Sequence, residues 1–169
     1  ALVQRPLLHM RRGDETRARA DLDLAARQSA STSSDAFRTY INSELAIVRA
    51  QLASNSGAVT DLQNAIAFLS GKEPGRVPGL YLQLARTPQA RATAENALRS
   101  GIDALETQQA GLGDESLRIS FFDDSWSLFQ DMVSLQLRAK NPALAFEYSE
   151  RSRARSLLAA TQRAQSSRT

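Results

Sequence analysis

The sequence of 169 residues predicts an all-α fold of stacked helix hairpins, and three observations carry that prediction. Ala occurs 27 times and Leu 22 times, and these residues stand high on the helix-propensity scale. Helix breakers are few, with Gly at 8 and Pro at 5 positions, and most punctuate the chain: Gly13, Gly57, the segment GKEPGRVPG (71–79), Pro88, Gly111 with Gly113, and Pro142. Between them the apolar residues recur at steps of three and four, as in Phe37, Tyr40, Ile41, Leu45, Val48 and Leu52, or Trp126, Phe129, Met132, Val133 and Leu137. No segment sustains the polar–apolar alternation of a strand.

Each element follows from its boundary signals. Residues 1–10 lack most of a full first helix. Gly13-Asp14 opens a helix over 14–29, with Asp14 as N-cap and Glu15 beside the positive helix end. Ser34 or Asp35 caps the next, to about residue 54, and Ser56-Gly57 turns into another over about 58–70. The proline-rich 71–79 reads as a linker between the second and third hairpins. Thr87-Pro88 predicts a helix start, with Thr as N-cap and Pro at the first helical position, and that helix runs to Gln109. Asp123, Asp124 and Ser125 supply caps for a helix reaching Ala139. Asn141-Pro142 starts the last helix, to about Ala164, and 165–169 is expected to fray. The hairpins are therefore 1–30, 35–70, 76–110 and 117–164, within one array over 1–164.

Composition narrows the chemistry. There is no Cys, so no thiol nucleophile, disulfide or thiolate metal site is available. His9 is the one histidine, and it precedes an Arg pair without any assigned role. Catalytic, metal-binding and cofactor-binding residues are expected to be none, and so are cofactors. The net charge is +3, and 19 of the 21 basic residues are Arg, which raises the pI without creating a concentrated field. Neither nucleic acid nor membrane is an expected partner. The start ALVQRPLLHMRRGD lacks the order of a signal peptide, and without an initiating Met the sequence reads as cut from something longer. The cytoplasm is the default expectation for its compartment.

A repeat runs through the chain. Ala18-x3-Leu22-x2-Ala25 recurs as Ala58-x3-Leu62-x2-Ala65, then as Ala97-x3-Gly101-x2-Ala104 and Ala145-x3-Ser149-x2-Ser152, at spacings of 40, 39 and 48 residues. Small residues at these steps let the second helix of a hairpin approach its neighbour closely. Thirteen residues before Ala58 and Ala97 stand Leu45-Ala46 and Leu84-Ala85, and Tyr81 precedes Ala97 by sixteen.

This pattern resembles the tetratricopeptide repeat (TPR), whose first helix carries aromatic, Leu and Gly/Ala positions and whose second carries Ala, aromatic and Ala. The resemblance covers most of the chain and implies a right-handed α-solenoid of antiparallel hairpins. The spacing exceeds the usual TPR period, so longer helices are expected. The stretch 117–160 is similar to the segment that precedes the caspase-like domain of bacterial CHAT-domain proteins. The helix that leads into that domain reads here Ala145-Phe146-Glu147-Tyr148-Ser149-Glu150-Arg151-Ser152-Arg153-Ala154-Arg155-Ser156-Leu157-Leu158, and GIDALETQQAGL (101–112) also fits. The resemblance implies a protein-interaction scaffold that is not itself an enzyme, with the peptidase His and Cys beyond Thr169.

Candidate binding residues follow from the same reading. By analogy with the groove-lining first helices of TPRs, Tyr40, Ser43, Ile47 and Gln51 form one stripe for contact with a protein or peptide segment. Trp126, in an aromatic cluster with Phe121, Phe122 and Phe129, either packs on the last helix or anchors a peptide. Arg151, Arg153 and Arg155 either form a solvated, salt-bridged face, with Glu147–Arg151 as an i,i+4 pair, or dock the downstream domain. Asp123-Asp124 suits capping better than acid–base work. Alternatives to the scaffold are a structural spacer or oligomerisation module and, behind it, a helical nucleic-acid module. The chain itself is expected to be a monomer or weak homo-oligomer.

Overall fold

The computed structural model describes residues 4–52, 57–111 and 118–166, with side chains omitted at 50–51, 109–111, 118–125, 155–156 and 158–166. Most of the described residues are helical, and none forms a strand: α1 (Gln4–Arg11), α2 (Glu15–Ala30), α3 (Asp35–Gln51), α4 (Ala58–Ser70), α5 (Val77–Arg86), α6 (Ala94–Gly111), α7 (Arg118–Arg138) and α8 (Pro142–Ser166). Short 3₁₀ turns occupy Pro74–Arg76 and Pro88–Thr93. Each helix packs on its neighbours in sequence, and the first helices of successive hairpins also touch, α3 on α5 and α5 on α7.

Several boundaries match their caps. Asp14 accepts from the Arg17 N–H at 3.1 Å, and Ser34 rather than Asp35 caps α3, its hydroxyl accepting from the Phe37 N–H at 3.3 Å. Others correct the sequence reading. Residues 4–11 do form a helix, short but complete enough to seat the buried Pro6 and the half-buried Leu7 and Met10. Thr87 does not cap a helix beginning at Pro88. Its hydroxyl donates to the Gln83 carbonyl at 2.9 Å and so closes α5, and 88–93 winds as 3₁₀ before α6 begins at Ala94. The linker at 71–79 is shorter than expected, because Val77-Pro78-Gly79 is the first turn of α5, where Pro costs no hydrogen bond. Val77 and Pro78 are buried there. Asp123, Asp124 and Ser125 lie inside α7, which starts earlier at Arg118; their side chains are outside the described residues.

The core is a series of clusters. The first joins Ala18, Leu22 and Ala25 of α2 to Ile41, Leu45 and Val48 of α3. In the middle cluster, Ala46 of α3 meets Leu62, Ala65, Ile66 and Leu69 of α4, Leu80 and Leu84 of α5, and Ala97 of α6. The last combines Leu82 of α5, Leu98, Ile102 and Leu105 of α6, Leu128, Phe129 and Met132 of α7, and Tyr148 of α8. The repeat positions Ala18, Leu22, Ala25, Ala58, Leu62, Ala65, Ala97 and Ala145 are all buried. The small size of the alanines among them suits close packing, and the need is sharpest at Gly101, where an added Cβ would lie 2.8 Å from Leu128 Cδ2 and 2.9 Å from Tyr81 Cβ. Gly101 is thus the gap through which α6 meets α5 and α7 together.

Hairpins one and four share one turn. After α1, the Gly13 N–H donates to the Met10 carbonyl at 3.0 Å and the Asp14 N–H to the His9 carbonyl at 2.9 Å. After α7, the Lys140 N–H donates to Leu137 at 3.1 Å and the Asn141 N–H to Gln136 at 2.9 Å. Both are Schellman closures around a left-handed residue, φ 73° at Gly13 and 59° at Lys140.

Two outcomes are expected in denaturant unfolding. Gly101→Ala lowers stability by about 1–2 kcal/mol, because overpacking against Tyr81 and Leu128 outweighs the gain in helix propensity. Lys140→Gly raises it by about 0.5–1 kcal/mol, since glycine adopts the left-handed conformation without a Cβ penalty. A stabilised Gly101→Ala or a destabilised Lys140→Gly contradicts these packing and turn assignments.

Candidate functional site

The expected stripe on α3 is only partly a surface. Tyr40 is exposed, but Ser43 is buried, its hydroxyl donating to the Thr39 carbonyl at 3.0 Å. A serine inside a helix satisfies itself in this way and needs no ligand. Ile47 is half-buried against the middle cluster, and its carbonyl accepts from Gln83 Nε2 at 3.1 Å. The Gln51 side chain lies outside the described residues. The α3 face that meets solvent carries Phe37, 48% exposed, beside Tyr40, and continues through Glu44. Phe37 was legible only as one of the apolar series.

Glu44 holds this face to the next hairpin. Its carboxylate accepts from Arg76, at the end of the first 3₁₀ turn, through two bonds, one of them 3.1 Å from Nη2. Glu73 joins at 3.1 Å from Nη1. These carboxylates keep the Arg76 guanidinium more firmly protonated than usual, the Glu44 hydrogen bond foremost. A similar tie closes the first hairpin. Arg5 donates to both oxygens of Asp21, Nε to Oδ2 at 2.7 Å, and these hydrogen bonds hold the Asp21 carboxyl below the ordinary carboxylate range. His9 Nε2 lies 3.5 Å from the same carboxylate.

The arginines of the last helix separate into distinct roles. Arg151 does not take Glu147 as its partner. It reaches back to α6 and donates to Glu106 at 2.8 Å, with Asp103 at 3.9 Å and its guanidinium 5.1 Å from the Tyr148 ring centroid. Burial lowers its proton affinity, but the Glu106 hydrogen bond and the neighbouring groups outweigh that, so its pKa is raised. A bridge between helices displaces the local i,i+4 pair because it also covers Tyr148. Arg153 is exposed and pairs with Glu150 at 2.8 Å. The Arg155 side chain is outside the described residues, as are those of Phe121 and Phe122.

Among the described residues, two grooves of similar size open on the surface. One, of about 500 Å³, lies over α5 between α4 and α6, with Gln63, Ile66, Ser70, Tyr81 and Asn96 among its walls. The other, of about 550 Å³, runs between α7 and α8 past Trp126, Phe129, Val133, Ser149, Ser152 and Arg153. Trp126 is 54% exposed at its edge while Phe129 is 2% exposed in the core, so the aromatic cluster divides between packing and surface. The structure brings Trp126 and Arg153 to one groove and leaves Tyr40 in a different hairpin. Among the described residues no cluster of three His, Asp or Glu is arranged to hold a metal, and no helix is long and apolar enough to cross a membrane.

No protein-family model, curated protein or solved structure matches the chain.

The two arginines separate by mutation. Arg151→Ala is expected to cost about 1–2 kcal/mol, combining the loss of a partly buried charge-assisted bond with the loss of stem packing on Tyr148. Arg153→Ala stays within about 0.5 kcal/mol of the parent, as an exposed pair does. Thermal unfolding of both variants checks the order; equal effects contradict it.

Proposed function

We propose that the chain is a non-catalytic interaction scaffold whose hairpins form a TPR-like, right-handed α-solenoid. In this reading it is the array that precedes the caspase-like domain of a CHAT-domain protein. The observation that carries it is the serial packing: α3 and α5 are each shared between consecutive core clusters, and the first helices contact one another along the chain. A nearest-neighbour arrangement of this kind is how repeat arrays bury apolar faces that one hairpin cannot cover alone. Burial of Leu45, Ala46 and Leu84, with Tyr81 and Ala85 half-buried beside them, supports the TPR register. The arginine-rich α8 carries the resemblance to CHAT-domain proteins, and in this reading the exposed Arg153 contacts the neighbouring domain while Arg151 holds α8 on α6.

Hydrogen exchange on Leu22→Ala tests the array. That substitution removes about 2–5 kcal/mol of packing from the first cluster. Amides of α1 to α3 are expected to lose protection while those of α7 and α8 keep it. Equal loss across all eight helices would mean one cooperative core and would remove the solenoid reading. For the regulatory half, peptidase activity of the full-length protein is compared with and without residues 1–164; unchanged activity counts against control by the array.

A further inference from the structure

Every first helix of a hairpin carries an arginine in its last turn: Arg11 in α1, Arg49 in α3, Arg86 in α5 and Arg138 in α7. Helices joined by short turns and packed in sequence run antiparallel, so these four ends lie along one edge of the molecule. Contacts between the first helices keep them in line. Leu7 and Met10 of α1 pack on the cluster that holds Val48 of α3. Gln83 of α5 donates to the Ile47 carbonyl of α3 at 3.1 Å, and Arg86 donates to Asp131 of α7 at 2.6 Å. The turns add Arg12, Lys140 and, in the second 3₁₀ segment, Arg91 to the same edge. Each turn joins the C-terminus of one helix to the N-terminus of the next, so the helix dipoles oppose there and side chains decide the sign.

The pattern of ion pairs makes that sign positive. Among the described residues, Arg11, Arg12, Arg49, Arg91, Arg138 and Lys140 have no carboxylate partner, whereas the arginines elsewhere are mostly paired. Arg49 is half-buried and the other five are exposed. On the opposite edge only Arg27 and Lys72 lack a carboxylate among the described residues, and Lys72 lies over the Phe68 ring, 4.5 Å from its centroid. Each hairpin thus brings at least one unpaired cation to the same edge. In hairpin three Arg86 is engaged by Asp131, and Arg91 supplies the open charge. Two unpaired carboxylates are interspersed there, Asp61 in the first turn of α4 and Glu147 in the second turn of α8.

We propose that this edge is a docking surface for an extended, acidic segment of a partner polypeptide. The inference rests on the repeat-array reading, because stacking of the hairpins is what sets one cation beside the next. Packed helices stand about 8–10 Å apart, and three residues of extended chain cover about 10 Å. The fitting segment therefore carries Asp or Glu at every third position, one facing each hairpin. A uniform polyanion, such as a nucleic-acid backbone or an anionic bilayer, would press phosphates onto Asp61 and Glu147. A polypeptide sets uncharged residues opposite them.

The probe is a fluorescein-labelled twelve-residue peptide with Asp at every third position and Gly and Ser between. Its anisotropy is followed as the intact chain is added at low ionic strength. Saturable binding is expected, and it weakens as salt is raised to about 0.5 M. A peptide of the same composition with its Asp residues contiguous binds at least about threefold more weakly. Two double variants separate this edge from overall charge. Arg91→Glu with Arg138→Glu weakens binding at least about tenfold, and Arg27→Glu with Lys72→Glu, an equal change of charge on the opposite edge, alters it less than about twofold. All four residues are exposed and outside the carboxylate pairs, and thermal unfolding verifies that both variants stay folded. Absence of binding by the spaced peptide overturns the proposal, as does equal affinity for the two peptides or equal weakening in the two double variants. Tighter binding of a charge-matched single-stranded oligonucleotide, or of anionic phospholipid vesicles that the peptide does not displace, also overturns it. These substitutions leave the core clusters untouched, so failure here leaves the array reading to the exchange pattern of Leu22→Ala.

Discussion

Everything in this fold depends on helices that serve two clusters at once: α3, α5 and, through Ala97 beside Leu98, α6. Helix α3 gives Ile41, Leu45 and Val48 to one cluster and Ala46 to the next. Helix α5 gives Leu80 and Leu84 to the middle cluster and Leu82 to the last. A helix with apolar residues on one stripe can close a hairpin; one that links two clusters needs them on two. That requirement explains why Leu45 and Ala46 are adjacent, and why Leu80, Leu82 and Leu84 lie too close for a single face. It also limits how far stabilisation travels, since no side chain of the first cluster is shared with the last.

Polar ties fix the register that apolar packing leaves loose. Arg5–Asp21, Arg76–Glu44, Arg86–Asp131 and Arg151–Glu106 each join separate elements. Single exposed pairs of this kind add little stability. Their geometry is nonetheless directional, because a guanidinium fork accepts a carboxylate in few orientations. The dominance of Arg over Lys fits that use. Much of the positive charge that raises the pI is answered by carboxylates along the same chain.

The helices were legible because caps and breakers are local signals. Asp14 and Ser34 act within one turn of their own position, and their readings hold. The misreadings come from competing partners, one of them local and one distant in sequence. Thr87 looks like an N-cap until its hydroxyl has the Gln83 carbonyl within reach, and Glu147 looks like the partner of Arg151 until α6 brings Glu106 closer. The site was less legible for a related reason. Periodicity gives a helix its stripes but not its rotation about its own axis. A rotation that turns Ser43 inward and Phe37 outward changes the surface of α3 without changing its pattern. The serines of hairpin four read as decay of a repeat, and the matching turns of hairpins one and four set them opposite Leu7, Leu22 and Ala25.

That comparison separates two uses of one backbone unit. With leucine at the seat, a hairpin retains its neighbour, because uncovering each aliphatic side chain costs about 1.5–3 kcal/mol. With serine at Ser134 and Ser149 the cost of standing open falls, and hydroxyls can bond to water or to nearby carbonyls. Beside the α7–α8 groove, Leu128, Phe129 and Met132 of α7 are buried in one cluster with Tyr148 of α8. A hairpin with leucine at this position and one with serine there therefore differ chiefly in the apolar area each leaves exposed to water.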